Sequence, residues 1–265
     1  TKGLDVVLVL DNTGSMNSKG KLSDLKDAAS ELVESVLYGE PGRAKVGLVP
    51  FAQYVNVGDS YKSASWMAAT GAAWKGCVGS RDYPSNLEDR DYNTKKIPGL
   101  NGAPCPDPLM PLTEDKDAIL AAIDGMDANG WTYIPAGLVW GWRLLSPAAP
   151  FSEGMAYDDL EKIGGVKALI VLTDGKNTRA PTYPEHNSAN QAQADDLMMK
   201  LCDNIKKDNI VIYSIAFDVD DASIRTLMEE CATTPGHYFD PDSSAELAST
   251  FQSITTSLRS LSLSQ

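Results

Sequence analysis

The sequence predicts an α/β fold, a doubly wound and mostly parallel sheet with helices on both faces and one short antiparallel edge strand. Three observations carry that reading. DVVLVL (5–10) and VKALIVLTDG (166–175) are apolar runs without alternation, as expected of parallel strands covered on both faces. Each run ends in an acid, Asp11 and Asp174. Around them, segments with an apolar stripe at helical spacing alternate with further short strands.

In chain order, residues 21–38 place Leu22, Leu25, Ala29, Leu32, Val33 and Val36 on one helical stripe. AKVGLVPF (44–51) is a second strand, and YVNVG (54–58) a short third one expected to be its hairpin partner. From about 59 to 112 periodicity breaks down among Gly, Pro, Asp and Asn, with Trp66, Trp74 and two cysteines. So long a stretch reads as an inserted loop region, within one domain spanning 1–265. LTEDKDAILAAIDGM (112–126) is helical, with Thr113 as N-cap and Ile119, Leu120, Ile123 and Met126 as its apolar face. NGWT (129–132) is a turn, and Pro135 opens a helix running to about Ser146. Residues 191–208 are helical, 209–217 and 237–240 are strands, and Leu247, Phe251, Ile254, Leu258 and Leu261 stripe a closing helix.

A formal net charge of −13 excludes a duplex-binding role, since no basic face is available to displace counterions. No run of 18 apolar residues exists, and the chain starts at Thr1, as an excised fragment would. The four cysteines fall into local pairs, Cys77 with Cys105 and Cys202 with Cys231. Neither pair has CxxC spacing and only two histidines are present, which argues against structural zinc. Two local disulfides are the preferred connectivity and would indicate an oxidising compartment; Cys202 and Cys231 as buried free thiols on helices is the alternative.

In doubly wound sheets, ligands sit beyond the carboxyl ends of the strands where strand order reverses. With a Rossmann-like order, strands 5–10 and 167–173 are neighbours at that point, so Asp11 and Asp174 meet in one crevice. Thr13 and Ser15 of DNTGSM add hydroxyls at alternate positions, and Gly14 allows a tight turn. All are hard oxygen donors, which favours Mg²⁺, Mn²⁺ or Ca²⁺ over zinc or copper. Each piece alone has a plainer reading: DxTxS is most often a helix cap, and TDG a turn. Asp11, Thr13 and Ser15 are expected to cap the first helix as well.

Together, DNTGSM (11–16), GWTYIPAGL (130–138) and VLTDG (171–175) resemble the three loops of a von Willebrand factor A domain. The resemblance implies a metal-ion-dependent adhesion site, with Asp11, Thr13 and Ser15 as its first element, Thr132 as its second and Asp174 as its third. The middle serine of the family pattern is a threonine here. VGLVPFAQYVNV (46–57), WKGCVGSR (74–81), CPDPLMPLT (105–113) and IPAGLVWGWRLLSP (134–147) are similar to the C-terminal domain of TadG-like proteins of tight-adherence (Flp) pilus assembly. That likeness implies a structural Cys77–Cys105 disulfide, an N-terminal membrane anchor outside this fragment, and a location in the periplasm or at the cell surface.

The implied function is a non-catalytic binding module, in which the cation accepts an Asp or Glu carboxylate from a protein partner, pilus components among the candidates. Asn12, Gly14, Trp131 and Tyr133 flank the metal-ligand positions and are candidate rim residues. Trp140 and Trp142 are expected to pack their helix against the sheet or the insertion. Rival readings are a metal-dependent hydrolase and a scaffold with a non-functional site. A haloacid-dehalogenase-like phosphatase needs DxD, where this chain has Thr13. Ser15 lies in GSM rather than GxSxG, and neither His186 nor His237 sits in a triad context, which leaves packing or surface roles for both.

Overall fold

A computed structural model describes residues 3–39 and 41–263; the ends of the expected 1–265 domain, including Thr1, lie outside the described residues. A six-stranded sheet forms the centre, in the order β5-β2-β1-β6-β7-β8. Its strands are β1 (Leu4–Asp11), β2 (Ala44–Phe51), β5 (Met110–Thr113), β6 (Val166–Thr173), β7 (Val211–Ala216) and β8 (Tyr238–Phe239). β5 is antiparallel to β2 and all other pairs are parallel. β3 (Val55–Asn56) and β4 (Cys77–Val78) make a small antiparallel sheet of their own.

The continuous apolar runs are explained by cover on both faces. Val7, Val9 and Phe51 join one core cluster, and Val6, Leu8 and Leu10 the opposite one. The first face is covered by α3 (Ile134–Leu145) and α5 (Gln191–Lys207), the second by α1 (Lys21–Val36), α2 (Lys116–Asp124) and α7 (Ser244–Leu263). α4 (Tyr157–Lys162) and α6 (Ala222–Cys231) complete the elements. Two glycines let α3 lie close on the sheet. A Cβ at Gly137 would come within 2.7 Å of the Phe51 ring, and one at Gly141 within 2.6 Å of Val9.

Register places the site. Leu10 of β1 lies opposite Leu172 of β6, so the chain leaves the sheet at Asp11 and at Asp174 side by side. At the other end of the same two strands, Asp5 and Lys167 form a buried ion pair at 2.9 Å. Both cysteine pairs are disulfides: Cys77–Cys105 ties the loop segment together, and Cys202–Cys231 joins α5 to α6. Trp66 of that segment packs against Trp140, ring centroids 6.0 Å apart, while the Trp142 indole donates to Asp208 at 2.9 Å.

Three local expectations are corrected. The antiparallel partner of β2 is β5, not residues 54–58; the latter contribute β3, which pairs with β4. Helix α2 starts at Lys116 and is capped by Asp115, whose carboxylate accepts from Ala118 N, because 110–113 is spent on the edge strand. Asp11, Thr13 and Ser15 do not cap α1. A 3-10 segment, Gly14–Gly20, intervenes, and Gly20 at φ +75° is the residue that precedes the helix. At the end of the α7 stripe, Leu261 is partly exposed, whereas Leu247, Phe251, Ile254 and Leu258 are buried.

Candidate metal centre

Three loops at the carboxyl ends of β1 and β6 and before α3 meet in one crevice. The first and third are linked by a hydrogen-bond ladder. Thr13 N donates to Asp11 Oδ1 at 2.8 Å, Thr13 Oγ1 and Ser15 Oγ lie 3.0 Å apart, and Ser15 Oγ donates to Asp174 Oδ1 at 2.6 Å. Ser15 gives its single proton to Asp174, so Thr13 donates to Ser15. Two acids distant in sequence are thus connected through the Thr13 backbone N–H on the Asp11 side and two hydroxyls on the Asp174 side.

The second loop is held beside them by its backbone. Gly14 N donates to Gly130 O at 3.1 Å, and Asn129 N to Asn12 O at 2.7 Å. Thr132 N donates to Thr178 Oγ1 at 2.9 Å, while Thr178 N and Arg179 N both donate to Thr132 O. Asn177 Oδ1 accepts from Ile134 N at 2.8 Å, supplying the N-terminal cap that Tyr133 does not give to α3.

Asp11, Thr13, Thr132 and Asp174 are buried, and Ser15 and Gly14 are exposed, so the crevice opens on the Ser15 side. Burial, and next the negative charge of Asp174, push the Asp11 carboxyl up to about 6, against hydrogen bonds from Thr13 and Thr173. Residues outside the expected set also act here. Thr173 Oγ1 donates to Asp11 Oδ2 at 2.7 Å. Lys21, itself buried, sits 3.2 Å from Asp174 Oδ2 and 3.3 Å from Asp218 Oδ2. The hydrogen bond from Lys19, foremost among several contacts, holds Asp218 below the usual carboxylate range. A threonine in LTDG and two lysines in SKGK are visible in the sequence, but their partners emerge only when β1, β6 and β7 stand in order.

Of the expected rim residues, Trp131 and Gly14 are exposed. Asn12 and Tyr133 are not at the rim: both are buried, Tyr133 with its ring 4.4 Å from that of His186. His186 is likewise buried, bonded to Ser80 Oγ at 2.8 Å and to the Gln53 carbonyl, which makes it a packing residue.

The donor set suits a divalent hard cation. Two carboxylates of like charge face one crevice and two hydroxyls lie between them; a cation would offset both the burial of Asp11 and its repulsion by Asp174. Among the described residues there is no group of three or more His, Cys, Asp or Glu able to hold a metal, so hydroxyls have to complete any shell.

A doubly wound α/β domain with a polar crevice at its β1–β6 switch point is the class these features define. The von Willebrand factor type A domain model matches residues 103–253, more than half of the chain, and the chain belongs to that family. No curated protein matches it in sequence. Among solved structures it is similar to the vWF domain of the type V pili tip protein Mfa5 from Porphyromonas gingivalis, with 12% identity and a TM-score of 0.64, covering 98% of this chain and 96% of that one. It is also similar to the pilus adhesin SpaC from Lactobacillus rhamnosus GG, with 16% identity and a TM-score of 0.61 over 97% of this chain and only 30% of SpaC. A further neighbour is proximal thread matrix protein 1 from the mussel byssus, solved with a zinc-occupied MIDAS motif. It shows 15% identity and a TM-score of 0.54 over 96% of this chain and 45% of that one. At these identities the likeness is one of fold.

Proposed function

We propose that this chain is a metal-dependent protein-binding module. Asp11, Thr13, Ser15, Thr132 and Asp174 hold a divalent cation, Mg²⁺ in the first place and Mn²⁺ or Ca²⁺ as substitutes. The single observation that carries this reading is the Asp11–Thr13–Ser15–Asp174 ladder, opening to solvent at Ser15. A bound cation supplies a Lewis-acid contact for an Asp or Glu carboxylate of a partner protein. The chain's own groups do the rest: two acids set the charge, Thr173 and Lys21 fix the orientation of the carboxylates, and the second loop walls the crevice. Binding rather than turnover is favoured because Thr13 stands where a phosphatase carries its second acid.

The setting we propose is bacterial pilus assembly or adhesion, outside the inner membrane, with an N-terminal anchor in a preceding segment of the full-length protein. Two disulfides, the pilus proteins among the structural neighbours, and the TadG-like stretches support it. No described helix is long and apolar enough to cross a membrane. The chain is read as one domain with an insertion at about 59–112, tied by Cys77–Cys105 and packed on α3 through Trp66. Isothermal titration of the metal-stripped chain with Mg²⁺ and Mn²⁺ tests the function. Saturable heat with wild type and none with Asp174→Ala is expected; equal heats in both variants would reject the site.

A further inference from the structure

Beside the crevice, the exposed Trp131 ring carries the Arg179 guanidinium over its face, 4.0 Å from the ring centroid. The pair is built into the site rather than laid on it. Trp131 precedes Thr132, Arg179 follows Thr178, and four hydrogen bonds between Thr132 and residues 178–179 lock the two loops together. Stacking uses the face of a guanidinium and leaves its N–H edge for a planar acceptor. Among the described residues that edge makes one hydrogen bond, from Nη1 to the Thr178 carbonyl at 3.2 Å.

The charges around it make this arginine distinct. The other cations on the loops after β1 and β6 are committed to acids: Lys19 to Asp218, Lys21 to Asp174 and Asp218, and Lys176 to Asp221 at 4.0 Å. Arg179 has no carboxylate within that range among the described residues. A molecule with net charge −13 repels an acidic partner at long range, so a local cation beside the crevice is needed to seat one.

We infer that Trp131 and Arg179 form a second subsite, which recognises a partner segment carrying two carboxylates, one for the crevice and one for the Arg179 guanidinium. This rests on the cation-site reading above. It narrows the partner from any exposed Asp or Glu to an acidic segment, with Trp131 covering the contact from water. The aromatic–guanidinium pair is of the kind enriched at binding hot spots.

The test uses the full chain in saturating Mg²⁺ and acetylated, amidated glycine peptides bearing one Asp, or two Asp spaced two, three or four residues apart. Binding is followed by shifts of the indole N–H signals, and Mg²⁺-induced melting shifts on the same samples report the cation site separately. At least one two-acid peptide is expected to bind roughly fivefold tighter than the one-acid peptide, a gain typical of one partly exposed charge-assisted contact. Arg179→Ala should erase that gain and Arg179→Lys should retain only part of it. Equal binding of all peptides, or a preference that survives Arg179→Ala, overturns the second subsite while the one-acid binding upholds the first. Failure of every peptide to bind in Mg²⁺ overturns the carboxylate-capture reading and this inference with it.

Discussion

Ser15 Oγ donates to Asp174 Oδ1 at 2.6 Å, joining residues 159 positions apart in the sequence. This one contact ties the loop after β1 to the loop after β6. It exists because β1 and β6 are hydrogen-bonded neighbours whose last residues lie in register. With the Thr13 hydroxyl behind it, it turns two isolated acids into a continuous set of oxygen donors.

Lys21 should compete with a cation for Asp174. Its side chain is 9% exposed and its ammonium lies 3.2 Å from Asp174, so it is a tethered positive charge at the crevice. Lys21→Met is expected to lower the melting temperature in EDTA and to tighten Mg²⁺ binding roughly fivefold, on the order of 1 kcal/mol of relieved repulsion. Lys19→Met, on an exposed pair, should change affinity far less. Titration calorimetry of the variants checks this, and weaker binding by Lys21→Met would show that orienting Asp174 outweighs the repulsion.

His186 sets a pH dependence. Burial pulls it down to about 4 from 6.5, partly offset by the hydrogen bond to the Gln53 carbonyl. That carbonyl can only accept, so Nδ1 donates and neutral Nε2 accepts from Ser80. Between pH 6.5 and about 4 the unfolded chain binds a proton the folded chain refuses. Stability is therefore present above 6.5 and lost as pH falls through that window, by about 3 kcal/mol. Denaturant melts at pH 4 to 7.5 should show His186→Gln less stable at neutral pH but with a flatter slope. Parallel profiles would contradict this.

The Asp5–Lys167 pair should be costly to break. Both side chains are almost fully buried, Lys167 also donates to Leu145 O at 2.7 Å, and Asp5 accepts from Met155 N at 2.8 Å. Asp5→Ala or Lys167→Met alone leaves a buried charge without its partner and should cost about 3–5 kcal/mol. The double variant should cost less than the sum of the two. Chemical denaturation of the three variants gives the coupling, and additive losses would mean that the pair acts independently.

Both cysteine pairs should be oxidised. Intact mass with thiol alkylation is expected to find no free thiol before reduction. The Cys202–Cys231 bridge closes a loop of 29 residues, so Cys202→Ala with Cys231→Ala should lose roughly 3–4 kcal/mol on the chain-entropy model. Rapid alkylation of unreduced protein would remove the disulfide argument for an extracytoplasmic setting.

The parallel strands are legible in the sequence because cover on both faces demands apolar residues at successive positions, as in Val6 to Leu10. The edge strand β5 was hidden. A hairpin rule points from β2 to the nearest strand-like stretch, whereas the chain crosses a disulfide-tied segment before Met110–Thr113 returns to pair. Helix α4, six residues long, carries too few turns to show a clear stripe, whereas the ten-residue α6 does carry one in Ile224, Leu227, Met228 and Cys231. In the crevice, Asp11, Thr13, Ser15 and Asp174 could be read from their places at strand ends. Lys21, Thr173 and Asp218 could not, since their roles depend on which strands become neighbours. Trp131 and Tyr133 show the limit of sequence proximity: two positions apart in one loop, the first is 54% exposed and the second 1%.

The most direct test is a melting curve of the metal-stripped chain with rising Mg²⁺, run beside Asp11→Ala and Asp174→Ala. Disulfides and core are untouched by these substitutions, so all three proteins should melt cooperatively in EDTA. If the two acids hold a cation, wild type should gain stability with concentration as RT ln(1 + [L]/Kd), about 2.7 kcal/mol at a hundredfold excess over Kd. Neither variant should then respond. A wild-type melting temperature that Mg²⁺ and Mn²⁺ leave unmoved, or an equal rise in all three proteins, would contradict a cation site built from Asp11 and Asp174.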